Sequence, residues 1–313
     1  MSLSKPLPKP LSYVCVTCGS LGRVPAPTDA ACRNPVGSHV RVGRDLVRGA
    51  LATAEAIGAE TLQVFTGNPR GWAASEGDPR VDEAFRTACA ERQVRAFVHA
   101  PYLVNLGSPT ATTYERSVAT TAHTLRRAAA IGAEGVVVHT GSCVAHGSYD
   151  AALRQVREGL LPLLDDLGDD GPRLLLEPTA GQGRSLCAGV EDLPAYLGAL
   201  DHHPRLGICL DTCHVFAAGS PLDEPGGTTS TLDRLAQTCA GVPLALVHAN
   251  DSQDTRGSGK DRHERIGEGR IGAGAFAELL AHPGTDGVPL VCETPGSGED
   301  GGCLATLKAL RDD

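Results

Sequence analysis

The sequence lacks the features expected of a membrane-spanning or secreted protein. Its 313 residues contain no apolar stretch of about 18 residues or more, which argues against a membrane-spanning helix. The N-terminal segment 1–10 alternates Lys, Pro and Leu and has no apolar core of a secretory signal. The eleven cysteines are scattered and odd in number, which indicates reduced core thiols rather than a disulfide framework. We therefore expect a cytoplasmic protein with no membrane partner.

Aromatic residues and positive charge are also scarce. Aromatics make up 4% of the chain, and the net charge is −9 with histidine neutral. An acidic chain argues mildly against a nucleic-acid partner, because phosphates are bound mainly through Lys and Arg, although bound metal ions would add positive charge locally. No Gly-x-Gly-x-x-Gly block follows the first predicted strand, so neither a doubly wound sheet nor a nucleotide cofactor is expected.

From Val36 onward one pattern repeats: a short apolar run, a loop, and a helical stretch rich in Ala, Leu, Arg and Glu. The predicted strands cover 36–40, 61–66, 95–99, 135–139, 173–177, 205–211, 244–248 and 288–293. The predicted helices cover 44–57, 79–93, 113–131, 149–167, 190–200, 230–240, 274–281 and 304–311. Eight such units predict an α/β fold, a single (β/α)8 TIM barrel over residues 36–313. Residues 1–35 are rich in Pro, Ser and Thr without periodicity, and we expect a poorly ordered, flexible extension there.

Six of the eight predicted strands end in His, Asp or Glu, and in a barrel these ends surround the mouth where active sites are built. The six residues are His99, His139, Glu177, Asp211, His248 and Glu293. Taken singly, such a residue is more often a hydrogen-bonded structural group, a helix cap or a surface charge. Taken together, imidazoles and carboxylates packed at one mouth conflict unless cations lie between them.

Three further residues extend this donor set. His214 stands three positions after Asp211, and Asp261 and His263 alternate on a charged loop, so that both can face one ion. The nine donors, five His and four carboxylates, are too many for one tetrahedral ion and suit two or three. The set contains no sulfur, so Zn²⁺, Mn²⁺ and Fe²⁺ are all chemically admissible.

From Val36 to the C-terminus the chain resembles endonuclease IV, the zinc-dependent apurinic/apyrimidinic endonuclease family. The resemblance rests on specific sequence blocks: Phe65-Thr66-Gly67-Asn68, His99-x-x-Tyr102-Leu103-Val104-Asn105-Leu106, Glu177-Pro178-Thr179-Ala180-Gly181-Gln182-Gly183, Asp211-Thr212-Cys213-His214-x-Phe216-Ala217-Ala218-Gly219, His248-Ala249-Asn250-Asp251, Asp261-x-His263, Gly267-Glu268-Gly269-x-Ile271-Gly272 and Glu293-Thr294.

The resemblance implies three zinc ions per chain, with Mn²⁺ or Fe²⁺ admissible at one or more sites. His99 and His139 would hold the first ion, and Glu177, the catalytic residue, would bridge it to the second. The second would be completed by Asp211, His248 and Glu293. The third would be held by His214, Asp261 and His263.

The resemblance implies a role in DNA repair. The reaction would be hydrolysis of the phosphodiester 5′ to abasic sites in duplex DNA, which leaves a 3′-hydroxyl and a 5′-deoxyribose phosphate. Asn68, Arg70 and Tyr102 would contact the DNA, and the enzyme would be a monomer associated with the nucleoid. Arg41, Arg44, Arg256, Lys260, Arg262 and Arg270 lie in or beside predicted mouth loops and would add local positive charge.

The chain departs from the family pattern in four places. Pro69 stands where a Gln is usual, Pro178 where an Asn is usual, and the segment 140–143 reads Thr-Gly-Ser-Cys rather than Pro-Gly-Ser-His. Residues 1–35 have no counterpart, and Cys15, Cys18 and Cys32 within them leave open half of a zinc ribbon. None of the departures removes a metal ligand.

Two alternatives to this function stay open at the level of the sequence. A metal-dependent sugar isomerase or epimerase could use the same type of barrel, but it would need no Asp261–His263 pair. A non-catalytic lesion-binding protein could keep the fold without turnover. His39, near the end of the first predicted strand, is expected to support the ligands rather than to bind metal.

Overall fold

The computed structural model describes residues 34–144, 148–168 and 170–313, in which eight parallel strands close into a barrel. In chain order the strands are β1 (Val36–His39), β2 (Thr61–Val64), β3 (Arg95–His99), β4 (Gly135–His139), β5 (Arg173–Glu177), β6 (Leu206–Asp211), β7 (Leu244–His248), β8 (Asp251–Ser252), β9 (His263–Glu264) and β10 (Leu290–Cys292). Around the barrel the order is β1, β10, β7, β6, β5, β4, β3, β2, and β8 and β9 form a separate antiparallel pair. The predicted TIM barrel is confirmed.

Helices connect the strands. They are α1 (Ala52–Ala56), which continues a π-helical segment at Leu46–Leu51, α2 (Pro79–Arg92), α3 (Ala111–Ile131), α4 (Tyr149–Asp165), α5 (Leu193–Ala199), α6 (Thr212–Ala218), α7 (Gly227–Thr238), α8 (Ala273–Ala281), α9 (Ser297–Asp300) and α10 (Gly302–Asp312), with 3₁₀ turns at Val190–Asp192 and Pro283–Thr285. Within the described ranges, no helix is both long and apolar enough to cross a bilayer.

Four strands, β3, β4, β5 and β7, have the bounds that the sequence predicts, and the other elements differ by a few residues. The predicted strand 288–293 was too long. Pro289 has no N–H for the ladder, so β10 begins at Leu290 and Glu293 follows one residue after its end. The predicted strand 61–66 was also too long, since the chain leaves the sheet after Val64 and the Phe65 ring packs against Tyr102 and His39 at the mouth.

Helices α6 and α9 and the β8–β9 pair were not predicted. Helix α6 begins directly at the end of β6, where the Asp211 side chain accepts the His214 backbone N–H at 3.0 Å as an N-cap. The predicted extension lies outside the described residues except for Asn34 and Pro35. The Pro35 carbonyl accepts a hydrogen bond from the Leu290 backbone N–H at the start of β10, and the boundary predicted at residue 36 stays a prediction.

Because side chains alternate along each strand, the inward-facing residues form layers inside the barrel. Six inward-facing apolar residues form a compact plug, one each from β3, β4, β5, β6, β7 and β10. They are Phe97, Val137, Leu175, Cys209, Leu246 and Val291. Each stands two residues before one of the six predicted strand-end ligands, and side chains at i and i+2 share one face of a strand. The ligands therefore lie as a polar layer directly on an apolar floor.

Glycines on neighbouring strands make room for this plug. A Cβ at Gly135 of β4 would lie 2.8 Å from Leu175 Cδ1, and one at Gly207 of β6 would lie 2.7 Å from Leu175 Cδ2. Leu175 thus fills space left empty on both sides of β5, immediately below Glu177. The outward-facing strand residues, among them Leu174 and Leu176, pack against the helices in the larger core.

We expect Leu175→Ala to lower the free energy of unfolding by about 2–5 kcal/mol, because the flanking glycines cannot fill the cavity that it leaves. Urea unfolding of chelator-treated protein measures the loss. Leu103→Ala, at a partly exposed leucine, is the control and should change stability by at most about 0.5 kcal/mol. A loss for Leu175→Ala no larger than that of the control would contradict a plug that supports the ligand layer.

Candidate metal centre

The structure brings all nine predicted ligands together at the C-terminal mouth of the barrel. Their donor atoms form overlapping groups within which every pair lies no more than 4.8 Å apart. The groups are His99, His139 and Glu177; Asp211, His248 and Glu293; and Asp211, His214 and His263, with Asp261 grouped with His263. Six of the nine end or directly follow a barrel strand, and the other three lie on α6 and on the loop that ends in β9.

Glu177 lies at the centre of this arrangement and is fully buried. Its Oε2 lies 3.2 Å from Nε2 of both His99 and His139. Its Oε1 lies 2.9 Å from Nδ1 of His248 and 3.5 Å from Nδ1 of His214. The two oxygens of one carboxylate therefore face two different sets of imidazoles, which is the geometry of a bridging ligand.

Backbone carbonyls orient two of the imidazoles. His99 Nδ1 lies 2.7 Å from the Ala100 carbonyl, and His214 Nδ1 lies 3.1 Å from the Pro178 carbonyl. Because a carbonyl only accepts, each Nδ1 donates, and Nε2 is the ring nitrogen that faces the cluster. Pro178 supplies this acceptor as well as an Asn would, since the contact uses only the backbone oxygen.

Asn250 joins two ligands of the second group. Its amide nitrogen donates to Asp211 Oδ2 at 2.8 Å, and its amide oxygen accepts the Glu293 backbone N–H at 2.8 Å. Asp211 is thus held from both ends, because its Oδ1 caps α6. Its Oδ2 also lies 3.9 Å from His248 Nδ1 and 3.5 Å from His263 Nε2. The carboxylate therefore stands between the second and third groups.

The third group contains the strongest sign of fit to a cation. The Nε2 atoms of His214 and His263 are buried and have no hydrogen-bond partner among the described residues. They nevertheless lie 3.2 Å and 3.0 Å from the two carboxylate oxygens of Asp261, without hydrogen-bond geometry. Two buried ring nitrogens that converge on both oxygens of one carboxylate form an arrangement that a metal ion can occupy.

A buried carboxylate holds the loop that carries the third group. Asp251, at the start of β8, accepts backbone N–H groups from Ser252, Gly267, Gly269, Ile271 and Gly272. A Cβ at Gly269 would lie 2.4 Å from Asp251 Oδ1, so only glycine permits this approach. The glycine-rich block 267–272 therefore wraps one carboxylate, and the neighbouring β8–β9 pair sets the position of His263.

The charges of the cluster oppose one another strongly. Burial lowers the pKa of His214, but the charge of Asp211 and the contact with Asp261 outweigh it and raise the pKa to about 10. The pKa of His263 is likewise lowered by burial and raised more by Asp211 and Asp261, to about 9. Burial raises the pKa of Glu177, yet the charges of His248 and His139 hold it well below the usual range. The carboxylates thus attract positive charge that protons or metal ions can supply.

Two thiols also lie near the donors. Cys209 forms a possible donor group with Glu177 and His248, and Cys213 with Asp261 and His263. Burial raises the pKa of the Cys209 thiol to about 12 and that of Cys213 still higher. Only the thiolate binds metal, so oxygen and nitrogen donors reach an ion at neutral pH with less proton loss. The chemistry favours the nine residues that the sequence predicts.

The predicted DNA-contact residues lie on two adjoining loops at the mouth. Asn68 and Arg70 are exposed, and the Asn68 side chain accepts the Arg70 backbone N–H at 2.9 Å. The Tyr102 N–H donates to the Pro69 carbonyl at 3.0 Å, so Pro69 ties the two loops together through an atom that proline retains. The Tyr102 side chain is 50% exposed, and its ring lies 6.2 Å from that of His139, centroid to centroid.

The positive charge at the mouth is smaller than the sequence suggests. Arg256 pairs with Glu224 at 2.6 Å, and Lys260 and Arg262 both pair with Asp254. Arg41, Arg44 and Arg270 are exposed, and no acidic partner for them lies among the described residues. Among the described residues, these three cations and Arg70 are exposed at the mouth, where phosphates could reach them.

Gln63, Asn250 and Asp251 contact or support the ligands but were not predicted as site residues. Gln63 donates to Glu293 at 2.7 Å and contacts His248 at 2.9 Å. It follows Thr61 by two residues on the same face of β2, a signal hidden because the predicted strand ran on to residue 66 and no charged residue marked its end. His39 ends β1 with Nδ1 3.2 Å from Glu293 Oε1, and its supporting role stays a prediction.

The chain is similar to known proteins over almost its whole described length. A family model described as "Xylose isomerase-like TIM barrel" matches residues 51–312. A Streptomyces coelicolor protein named "Probable endonuclease 4" is 57% identical over 90% of this chain and 96% of its own. A Streptomyces avermitilis protein of the same name is 54% identical over 95% of this chain and 96% of its own. The crystal structure of endonuclease IV from Thermus thermophilus superposes with a TM-score of 0.77 at 33% identity, covering 89% of this chain and 99% of that one.

We expect addition of a divalent ion to the chelator-treated protein to release protons. The raised pKa values of His214 and His263 mean that both imidazoles carry the extra proton at pH 7, and an ion binding to Nε2 must displace it. Release should be largest near neutral pH and fall as the pH rises through about 9–10, where these protons are already lost. Isothermal titration in buffers of different ionisation enthalpy counts the protons, and a count near zero at pH 7 would contradict the charge balance described above.

Proposed function

The chain belongs to the endonuclease IV family of DNA-repair endonucleases, and on that premise we propose that it incises duplex DNA at abasic sites by a trinuclear zinc mechanism. The bond cleaved is the phosphodiester 5′ to the abasic site, and the products are a 3′-hydroxyl and a 5′-deoxyribose phosphate. The observation that carries the proposal is the buried Glu177 carboxylate, whose two oxygens face separate imidazole groups with a further donor group beside them.

Each proposed zinc ion has its own set of residues. His99 and His139 would hold the first, Asp211, His248 and Glu293 the second, and His214, Asp261 and His263 the third, with Glu177 shared by the first two. Zinc is proposed ahead of manganese or iron because imidazole nitrogen supplies five of the nine donors. When bound, such ions lower the pKa of an attacking water and neutralise charge on a phosphodiester.

The protein residues fix the geometry that this chemistry requires. The two oxygens of Glu177 connect the first and second donor groups. The apolar plug beneath Glu177 fills the barrel interior, so the side chain cannot turn away from the mouth. Asn250 and the α6 N-terminus hold Asp211 between the second and third groups. The donor groups are therefore kept in register by the barrel, and a substrate phosphate can meet all of them at once.

The space around Tyr102 suits a sugar–phosphate that has left the DNA helix. A cavity of about 620 Å³ is bounded by Tyr102, His39, Arg41 and Glu293. A second of about 320 Å³ is bounded by Tyr102, His139, Gln182, His214 and Asp261. An enzyme that acts on a sugar–phosphate within a duplex must extrude it and fill the gap. We assign the extruded residue to the metal-lined side, and gap filling to Tyr102 and Arg70, with Asn68 shaping the Arg70 loop.

The alternative functions are less well supported. A sugar isomerase or epimerase shares the fold, but fold alone does not decide function, and the relatives with more than half of their residues identical carry an endonuclease name. The Asp261–His263 group would also have no role in a reaction served by one or two ions. A lesion-binding protein without turnover would not need a complete donor set.

We propose a monomer that works on chromosomal DNA in the cytoplasm, at the nucleoid. Within the described residues, the large hydrophobic side chains that are exposed are Tyr102, Leu103 and Val144, of which the first two lie at the mouth. No extended apolar surface is therefore left in this part of the chain for a second subunit to cover.

We expect Glu177→Gln to reduce incision at least about 100-fold, because the neutral amide cannot offer an anionic oxygen to each of the two donor groups. The assay uses a duplex with one abasic analogue, with and without a chelator, together with mapping of the cut and zinc analysis. Glu134→Gln, at the opposite end of the barrel, is the matched control and should cut like the unaltered protein. Unimpaired incision by Glu177→Gln, or cutting that resists the chelator, would refute the mechanism, and fewer than three zinc ions would refute the trinuclear centre.

Tyr102→Ala should weaken binding to the abasic duplex by about 5- to 150-fold, which corresponds to the roughly 1–3 kcal/mol expected for one stacked base. Zinc content should stay unchanged, because Tyr102 packs on the imidazole rings without being a ligand. Fluorescence anisotropy measures the affinity. Tyr102→Phe keeps the ring and should bind within about twofold of the unaltered protein. Equal affinity of Tyr102→Ala and Tyr102→Phe would exclude stacking.

A further inference from the structure

Gln63 lies among the candidate ligands without belonging to them. It is fully buried, faces inward from β2, and pairs in strand register with His39 of β1. Its amide reaches across the mouth, so that Oε1 lies 2.9 Å from His248 Nε2 and Nε2 lies 2.7 Å from Glu293 Oε1. Nε2 is also 3.0 Å from His39 Nδ1. Gln63 is therefore a hydrogen-bond partner of two residues of the second donor group.

The carboxylate of Glu293 decides which way the amide points. A carboxylate only accepts hydrogen bonds, so the Gln63 atom beside it must be the NH₂ group. The Gln63 carbonyl consequently faces His248, and because a carbonyl also only accepts, His248 Nε2 must carry a proton. In a neutral ring with the proton on Nε2, the lone pair is on Nδ1.

The lone pair on His248 then faces three carboxylates. Nδ1 lies 2.9 Å from Glu177 Oε1, 3.4 Å from Glu293 Oε2 and 3.9 Å from Asp211 Oδ2. With the opposite tautomer, Nδ1–H would donate to Glu177, and the ring would offer the cluster no electron pair. The tautomer of His248 thus decides whether this group presents a nitrogen ligand or a hydrogen bond that competes with an ion.

We propose that Gln63 is a positioning residue of the second donor group, with its carbonyl keeping the His248 proton on Nε2 and its NH₂ holding Glu293 toward the same ion. The inference rests on the proposed metal centre and is independent of the DNA reaction. Hydrogen-bond partners of ligating imidazoles are typically worth about 10- to 100-fold in metal affinity.

The test compares zinc affinity of the full chain by competition with a chromophoric chelator. Gln63→Met keeps the length of the side chain and removes both hydrogen bonds, so we expect the weakest zinc dissociation constant to rise about 10- to 100-fold. Thr61→Val is the matched control. It removes a buried hydroxyl that bonds the Arg95 carbonyl on the same inward face, one layer below, and should leave zinc affinity within about twofold.

A second readout separates positioning from packing. Nitrogen-15 NMR of zinc-loaded protein should show His248 protonated at Nε2, and Gln63→Met should change this resonance. Gln63→Glu keeps an acceptor for Nε2–H but sets a second carboxylate beside Glu293, so it should keep the His248 signature while zinc binds more weakly. Unchanged affinity and resonance in Gln63→Met, or equal weakening in Thr61→Val, would overturn the role of Gln63. Unaltered protein that binds no zinc would overturn the metal centre itself.

Discussion

A carboxylate shut away from water must have its charge balanced by neighbouring groups, and Glu177 has no exposed surface. Four imidazoles surround its two oxygens, drawn from β3, β4, β7 and α6. Further carboxylates then balance those imidazoles, so that His214 and His263 meet Asp261 and Asp211. The other charged residues at the mouth continue this alternation, because each buried charge requires a neighbour of opposite sign. Together their carboxylates form a cluster that attracts cations.

The barrel makes such a cluster possible because its strands carry two layers of inward-facing side chains with different roles. The lower layer is apolar and supports the fold, as Leu175 between Gly135 and Gly207 shows. The upper layer is polar and lies only two residues further along each strand. Because the apolar floor is rigid and excludes water, the ligands can neither relax downward nor be solvated from below. Stability and chemistry are therefore supplied by adjacent residues on one face of each strand.

Loops complete the centre, and each is fixed by backbone hydrogen bonds rather than by the identity of exposed side chains. Asp251 gathers the N–H groups of the block 267–272, and Pro69 ties the Arg70 loop to Tyr102. This explains why departures such as Pro69 and Pro178 are tolerated, since in both cases the atom used is a carbonyl that every residue possesses. Several of the mouth cations are engaged with carboxylates, so metal ions bound at the donor cluster, together with the exposed arginines, would supply the positive charge that meets DNA.

The barrel and the candidate ligands both follow from local patterns in the amino-acid sequence. Buried parallel strands appear as short apolar runs, and a donor that ends such a run, as His139 does, must lie at the mouth. The resemblance carried by these blocks added the grouping of the donors and the reaction. The three-dimensional arrangement was needed to see that Asp211 stands between two donor groups, that five backbone amides surround Asp251, and that Gln63 reaches from β2 to His248, 185 residues away. Those contacts join distant strands across the barrel mouth. Their direction is set by strand register and side-chain rotamer, and neither of these produces a periodic pattern in the sequence from which it could be predicted.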